Sequence, residues 1–301
     1  MPESQNEPPD ANRRLSACLT FDFDAMSVWI AGTDNPAAIS RGEFSTIAVP
    51  RILELLKQHG ILGTFFIPGH TALAYPDLVR EIRDSGHEIG HHGWVHENPA
   101  SFGYEDERQV FERGLEALDR VADLRPVGYR SPSNDLSPRS MEILLEYGML
   151  YDSSCGGSDF TPYYQRINDR ASKNAPYIFG QTVDLVEMPF SWILDDFPHM
   201  EFDAGWSTEQ SPPSTVLEIW KGEFQYAYQH AVGGVFTLCM HPQVIGRGHR
   251  LMMLEDMIGF MKQPGVVFEP IRDFAERWRV RNPLQEWLVA NPVRAGLNAL
   301  S

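Results

Sequence analysis

An α/β fold, closed into a (β/α) barrel of parallel strands and crossover helices, is the architecture this sequence predicts. Three observations predict it. Apolar, β-rich runs alternate with stretches of helical period over most of the 301 residues. The strand–helix units are too numerous for a two-layer sandwich but suit a barrel. Reactive side chains recur where predicted strands end and loops begin, which is where such barrels carry their chemistry.

The elements follow in order. Residues 1–14 (MPESQNEPPDANRR) are polar and proline-rich and are expected to be a disordered tail. Leu15–Asp24 (LSACLTFDFD) is a β-rich run that opens the fold. Glu43–Gly60 is predicted helical, because VPRILELLKQHG spaces apolar residues at the helical period and ends in glycine. Ile61–His70 reads as a buried strand, YPDLVREIRDSGH as a helix, and His87–Gly93 as a short strand ending in glycine. A helix over Phe111–Ala122 leads to Pro126–Pro132 (PVGYRSP), a strand running into a turn. The next helix, SPRSMEILLEYG, starts with the capping residue Ser137 and stops at Gly148. Residues from Ser153 to Val183 are irregular and rich in Tyr, Asp, Asn and Gly, so a long loop shaping the mouth of a site is expected there. Then come a strand at Val183–Phe190, a helix around Thr215–Ala231 and a strand at Gly233–His241. A helix near Leu251–Met261, the strand VVFEPI and the helix RDFAERWRV complete a single (β/α) barrel domain over residues 15–281. Residues 282–301 are predicted to form a C-terminal helical extension, packed on the outside or in a subunit contact.

Composition bounds the function. The chain is 43% hydrophobic and 22% charged, with a formal net charge of −16 and a pI near 5.0. Long-range repulsion therefore opposes nucleic acid and anionic membrane surfaces as partners, while a neutral small substrate is unaffected. No apolar run suits a secretion signal, and none approaches the ~20 residues of a membrane span. Cys18, Cys155 and Cys239 are odd in number and far apart, which predicts reduced thiols rather than disulfides. A cytoplasmic protein is the expectation.

The stretch HEIGHHGWVHENP (87–99) holds four of the ten histidines. His92 and His96 are spaced i, i+4, as are His87 and His91. A one-turn helical segment would converge such a pair on one ion. His87 precedes the strand EIG, which would hold its partner apart, so His92 and His96 are preferred. Solvated loop histidines are the plain alternative. Asp22 and Asp24 in TFDFDA weigh against it, standing two residues apart at a neighbouring strand end with both side chains on one face. Two imidazoles and one carboxylate leave open positions on a divalent ion, as in a catalytic zinc site. Arg130 (GYRSP) and His241 (LCMHP) end two further strands.

The set TFDFDA, HHGWVHENP, GYRSP, DLVEMPFSWILDDFP and LCMHP resembles the polysaccharide deacetylases, also called the NodB-homology or carbohydrate esterase family four proteins. ISRG at Ile39–Gly42, SDFTPYY at Ser158–Tyr164 and WILDDFP at Trp192–Pro198 are similar to a branch holding peptidoglycan-deacetylase-like proteins and cyclic imide hydrolases. The resemblance covers nearly the whole chain after the tail. It implies a distorted (β/α) barrel that hydrolyses amides with a divalent metal, most often zinc. Asp22 matches the general base, and Asp24, His92 and His96 match the metal ligands. His241 matches the acid that protonates the leaving amine, and Arg130 the arginine that keeps the base charged. Asp195 and Asp196 sit near the motif that orients the catalytic histidine. With Trp192 and Pro132 they are the candidates for the substrate-binding region. A homo-oligomer, a tetramer in particular, is also implied.

Three departures bear on the substrate. Gly93 stands where many members carry Ser or Thr, DFD replaces an adjacent aspartate pair, and Ser133 follows Pro132 where many have an aromatic. The expected function is hydrolysis of a non-peptide C–N bond in a small amide or cyclic imide. The alternative is N-deacetylation of a sugar polymer such as peptidoglycan or chitin oligomers. Two readings of other classes are a non-haem iron oxygenase, which also uses two histidines and a carboxylate, and a non-catalytic sugar-binding relative.

Overall fold

The computed structural model describes residues 13–202 and 210–296. Residues 1–12 of the expected tail and 297–301 of the expected extension lie outside the described residues. Within them, Arg13 and Arg14 are anchored: Arg13 pairs with Glu269 at 2.7 Å, and Arg14 N–H donates to Gly265 O at 2.7 Å. Among the described residues no helix is long and apolar enough to cross a membrane.

Among the described residues, nine strands form one sheet: β1 Leu15–Asp22, β2 Thr64–Ile67, β3 Glu88–His91, β4 Gly128–Tyr129, β5 Tyr151–Asp152, β6 Tyr163–Ile167, β7 Gln181–Glu187, β8 Gly234–Met240 and β9 Val266–Phe268. Their order is β6-β7-β5-β4-β3-β2-β1-β8, with β9 beside the start of β1. All pairings are parallel except β6 with β7. A parallel bridge between Asp195 and Cys239 carries the wall past β8. The architecture is thus the distorted, incompletely closed (β/α) barrel that the motifs implied. Because the strands run one way, Asp22, His91, Tyr129, Asp152, Glu187 and Met240 end at one rim.

β1 explains why the sheet is built around it. Every residue of LSACLTFD is buried, as a strand covered on both faces requires. It pairs with β8 along one edge and with β9 and then β2 along the other. Its Phe21 stacks on Phe65 of β2 with ring centroids 4.8 Å apart. Leu19, Leu238 and Phe236 extend this core towards Trp220 and Phe224 of the helix Pro213–His230.

Several expected boundaries move. Only Thr64–Ile67 of the segment 61–70 is a strand, and a helix follows at Gly69–Ala74. The helix expected from Phe111 begins at Tyr104. The helix expected from Ser137 runs only over Ser140–Glu146, because Ser137 and Ser140 both turn their hydroxyls to the carboxylate of Glu107. The segment 153–183 is not one long loop: it contains β6, whose Tyr163 and Tyr164 are buried. Tyr164 packs edge-on against Trp287 of the helix Leu284–Ala290, which covers the barrel from outside.

Two of the four clustered histidines belong to this scaffold. His87 Nδ1 accepts the Gly63 N–H at 3.0 Å, and His91 Nδ1 accepts the Gly93 N–H at 3.1 Å. His91 Nε2 donates to Phe111 O at 2.9 Å. Both rings are thereby used in their neutral form. Burial lowers the pKa of His87 to about 4 and that of His91 to about 3. An unfolded histidine titrates near 6.5, so between pH 6.5 and about 4 the unfolded chain binds more protons and stability falls as pH falls. The loss at His91 alone is on the order of 3 kcal/mol by pH 4. We predict that the thermal midpoint of the metal-free protein drops across this window, and that His91→Gln flattens the drop. A midpoint unchanged from pH 7 to pH 4 would contradict it.

Candidate active site

Asp22, Asp24, His92, Arg130 and His241 gather, buried, at one rim of the barrel. Asp22 ends β1, and the Phe23 N–H donates to Phe66 O at 2.8 Å, so the chain is still extended when it reaches Asp24. Asp22 and Asp24 are 3% and 0% exposed. Beyond Asp24 the chain turns sharply, with Ala25 left-handed at φ +50°. Gly42 packs directly on this turn: a Cβ there would lie 2.2 Å from Ala25 O.

His92 follows β3. Its Nδ1 lies 2.7 Å from Arg130 O, so Nδ1–H donates to that carbonyl and Nε2 turns its lone pair to the site. His92 Nε2 is 3.3 Å from Asp24 Oδ1, and His96 Nε2 is 4.0 Å from the same oxygen. The pair converges without the expected helical turn. Gly93 at φ +72° and His96 at φ +62° fold the segment back instead, and Glu97 holds it by accepting the N–H groups of Trp94 and Val95. A Cβ at Gly93 would press on Pro132 at 3.0 Å, so this version of the turn needs glycine.

Both oxygens of Asp24 and Nε2 of His92 are buried without a hydrogen-bond partner. Such groups are stable only when something of opposite charge completes them. Burial alone would raise the pKa of Asp24, but His96, His92 and His241 pull it down to about 2, so it is anionic. Burial lowers His96 to about 4 and leaves it neutral. Burial likewise disfavours a charged His92, yet Asp22 and Asp24 outweigh it and raise that pKa. This surplus of negative charge, with two imidazoles beside it, fits a divalent cation held by Asp24, His92 and His96.

Arg130 is fully buried, unlike a surface ion pair. Its Nη1 donates to Asp22 Oδ1 and Thr20 Oγ1, each at 2.8 Å. Its other edge donates to Ser153 O at 3.1 Å and Ser153 Oγ at 3.0 Å, and its face lies over Phe66. Burial works against the charge, but Asp22 more than offsets it and the guanidinium pKa is raised.

His241 follows β8, with Nε2 3.7 Å from Asp24 Oδ2. Asp196 holds it, with Oδ1 2.7 Å from Nδ1 and both oxygens accepting the His241 backbone N–H at 3.0 Å. Asp195 lies farther off, at 3.7 Å, and caps the following helix by accepting Phe197 N–H at 2.8 Å. Burial opposes protonation of His241, but Asp195 and Asp196 overcome it and raise its pKa well above the ordinary value.

These groups floor a cavity of about 580 Å³. Asp22, Asp24, His96 and His241 reach it from below, and Asp195 from the side. Trp192 forms part of one wall, with Phe190 buried behind it at a ring distance of 5.0 Å. Pro132 is buried beside Gly93, and its neighbours Ser133, Asn134 and Asp135 line the rim instead. Asp196 sits behind His241, with its contact to the cavity made through that ring. Val28, Trp29 and Phe197 also line the cavity; the first two carried no recognisable sequence signal, and Phe197 stood within WILDDFP without being singled out. Val28 and Trp29 lie on a four-residue helix, too short for periodicity to show.

A sequence model of the polysaccharide deacetylases matches residues 15–151. The peptidoglycan deacetylase of Helicobacter pylori is 34% identical, the alignment covering 90% of this chain and 98% of that protein. The chain belongs to the polysaccharide deacetylase family. A second relative, the peptidoglycan deacetylase-like protein FGM2 of Gibberella zeae, is 28% identical over 85% of this chain and 83% of its own. Among solved structures, one from Mycobacterium smegmatis described as a polysaccharide deacetylase has a TM-score of 0.80 and 32% identity, covering 93% of this chain and 95% of that one. An allantoinase shares the fold alone, with a TM-score of 0.73 and 22% identity over 94% of this chain and 95% of that one. As a polysaccharide deacetylase, the protein is a hydrolase of C–N bonds other than peptide bonds, and its family is metal-dependent. An all-β oxygenase barrel is incompatible with the parallel sheet.

Two outcomes follow from the charges at the rim. Asp24→Asn and His92→Gln should each weaken Zn²⁺ binding by about tenfold or more, measured by competition with a chromophoric chelator, without loss of far-UV circular dichroism. Arg130→Met, which strands the buried carboxylate of Asp22, should reduce unfolding free energy by about 3–5 kcal/mol in urea titrations.

Proposed function

We propose that this polysaccharide deacetylase is a metal-dependent amide hydrolase in which Asp22 is the general base and His241 the general acid, and that its substrate is a small uncharged amide or cyclic imide. The observation that carries the reading is the convergence of an arginine-held carboxylate, an aspartate-held imidazole and an uncompensated Asp/His cluster on one cavity floor. A divalent cation, zinc first, held by Asp24, His92 and His96 would supply Lewis acidity and a water of lowered pKa.

The chain's own groups account for the proton transfers. Arg130 occupies Asp22 Oδ1 and leaves Oδ2 on the side of His92, 3.8 Å from its Nε2. Oδ2 is therefore the oxygen that takes the proton of the attacking water. Asp196 fixes the ring of His241 through Nδ1, so the proton on Nε2 faces the cavity and passes to the nitrogen that leaves. Amide nitrogen departs only when protonated, which is why a base and an acid are both needed. The apolar faces of Trp29, Val28, Phe197 and Trp192 suit a flat, neutral ring above a polar floor. A net charge of −16 suits an uncharged substrate in the same way.

A second reading, N-deacetylation of a peptidoglycan sugar, is favoured by the Helicobacter pylori relative. Zinc-loaded protein assayed against cyclic imides and N-acetylglucosamine oligomers separates the two. Turnover of the oligomers alone would make the sugar polymer the substrate and exclude the small ring. In either case Asp22→Asn and His241→Ala should each lower kcat by roughly 10²–10⁴-fold. Removing the metal with a chelator should abolish turnover, and readdition should restore it. Activity that survives chelation would end the metal-dependent reading. Trp192→Ala should raise KM with little change in kcat, read from steady-state rates.

A further inference from the structure

Behind Arg130 lies a second pair of acids that the proposed chemistry does not use. Asp152 ends β5 and Glu187 ends β7, and the two are register partners on neighbouring parallel strands. Both are 0% exposed. Among the described residues, no lysine, arginine or histidine forms an ion pair with either. A carboxylate oxygen of each lies within 4.8 Å of the other, and two carboxylates that close, both withdrawn from water, cannot both be ionised.

The surrounding donors stabilise one negative charge in all. Glu187 Oε1 accepts the N–H groups of Ser154 at 3.1 Å and Cys155 at 2.8 Å, and Oε2 accepts from Gln165 Nε2. Asp152 Oδ1 accepts the Ser154 hydroxyl at 2.6 Å, while Oδ2 is buried with no hydrogen-bond partner. Burial raises the proton affinity of Asp152, and burial together with the charge of Asp152 raises that of Glu187.

What the acids grip leads back to the site. Ser154 Oγ also accepts the Ser131 N–H at 2.9 Å, next to Arg130 in sequence. Ser153, between the gripped residues and β5, offers Arg130 its carbonyl and its hydroxyl. The guanidinium fixed there holds Asp22 at 2.8 Å.

We propose that Asp152 and Glu187 work as one acid pair sharing a single proton, and that its hold on Ser154 and Cys155 positions Ser153, Arg130 and, through them, Asp22. They are positioning residues, and this role rests on Asp22 being the general base.

The shared proton dictates an unusual pattern of variants. In Asp152→Asn or Glu187→Gln, the new amide donates where the proton stood, and the partner is left ionised to accept. In the double variant two N–H donors face each other. Each single variant should keep kcat within about threefold, whereas the double should lose about 10²-fold in kcat with KM and bound zinc unchanged. Infrared spectra of the wild-type protein at neutral pH should contain a protonated-carboxyl C=O band that either single variant removes. A crystal structure of the double variant should show Arg130 moved away from Ser153 or Asp22. Absence of the band, its survival in both single variants, or loss of an equivalent of zinc in either one overturns the pair. An unmoved Arg130 or a fully active double variant overturns its positioning role. The spectrum and the crystal structure do not need a substrate, so a failed assay of the wild-type protein counts against the proposed function and leaves this inference to its own measurements.

Discussion

Uncompensated negative charge, buried where the first strand ends, is the constraint around which this molecule is arranged. Asp22 and Asp24 are removed from water together, and an interior of low polarity would expel them unless positive charge met each. Arg130 meets the first, and must itself be buried and fully hydrogen-bonded to do so. The second has only imidazoles beside it, with both oxygens unpartnered. The difference separates the two carboxylates chemically although they sit two residues apart on one chain.

The parallel sheet makes the arrangement possible. Strand ends that are distant in sequence become neighbours at one rim, so β1, β3, β4 and β8 each need to supply only one or two groups. The histidine-rich segment shows how finely the local backbone divides them. His87 and His91 face the interior and spend their ring nitrogens on backbone amides and a carbonyl. His92, one residue on, faces the other way with a nitrogen to spare. Alternation along an extended strand is enough to turn one motif into both scaffold and site.

Much of this was legible in the sequence. The alternation of apolar runs and helical periods pointed to the barrel, and reactive residues at predicted strand ends pointed to its rim. The two histidines that converge on Asp24 were singled out for a physically wrong reason. Spacing i, i+4 suggested a helical turn, but left-handed Gly93 and His96 do the folding, and single-residue conformations of that kind leave little trace in spacing. Residues 153–183 looked irregular because β6 is short and carries buried tyrosines rather than an aliphatic run. Asp195 and Asp196 could not be told apart, since only the packed fold decides which one reaches His241 Nδ1. The apolar wall from Val28, Trp29 and Phe197 was missed because it rests on helices of four and five residues.

The close approach of Gly42 to Ala25 has a wider meaning. The helix carrying Gly42 is clamped onto the bend just past Asp24 with no room for even a methyl group. A descendant of this chain could keep every ionisable side chain of the site and still fall silent through one added carbon at that point. Surveys that judge dormant relatives by intact ligands alone would count such a protein as competent.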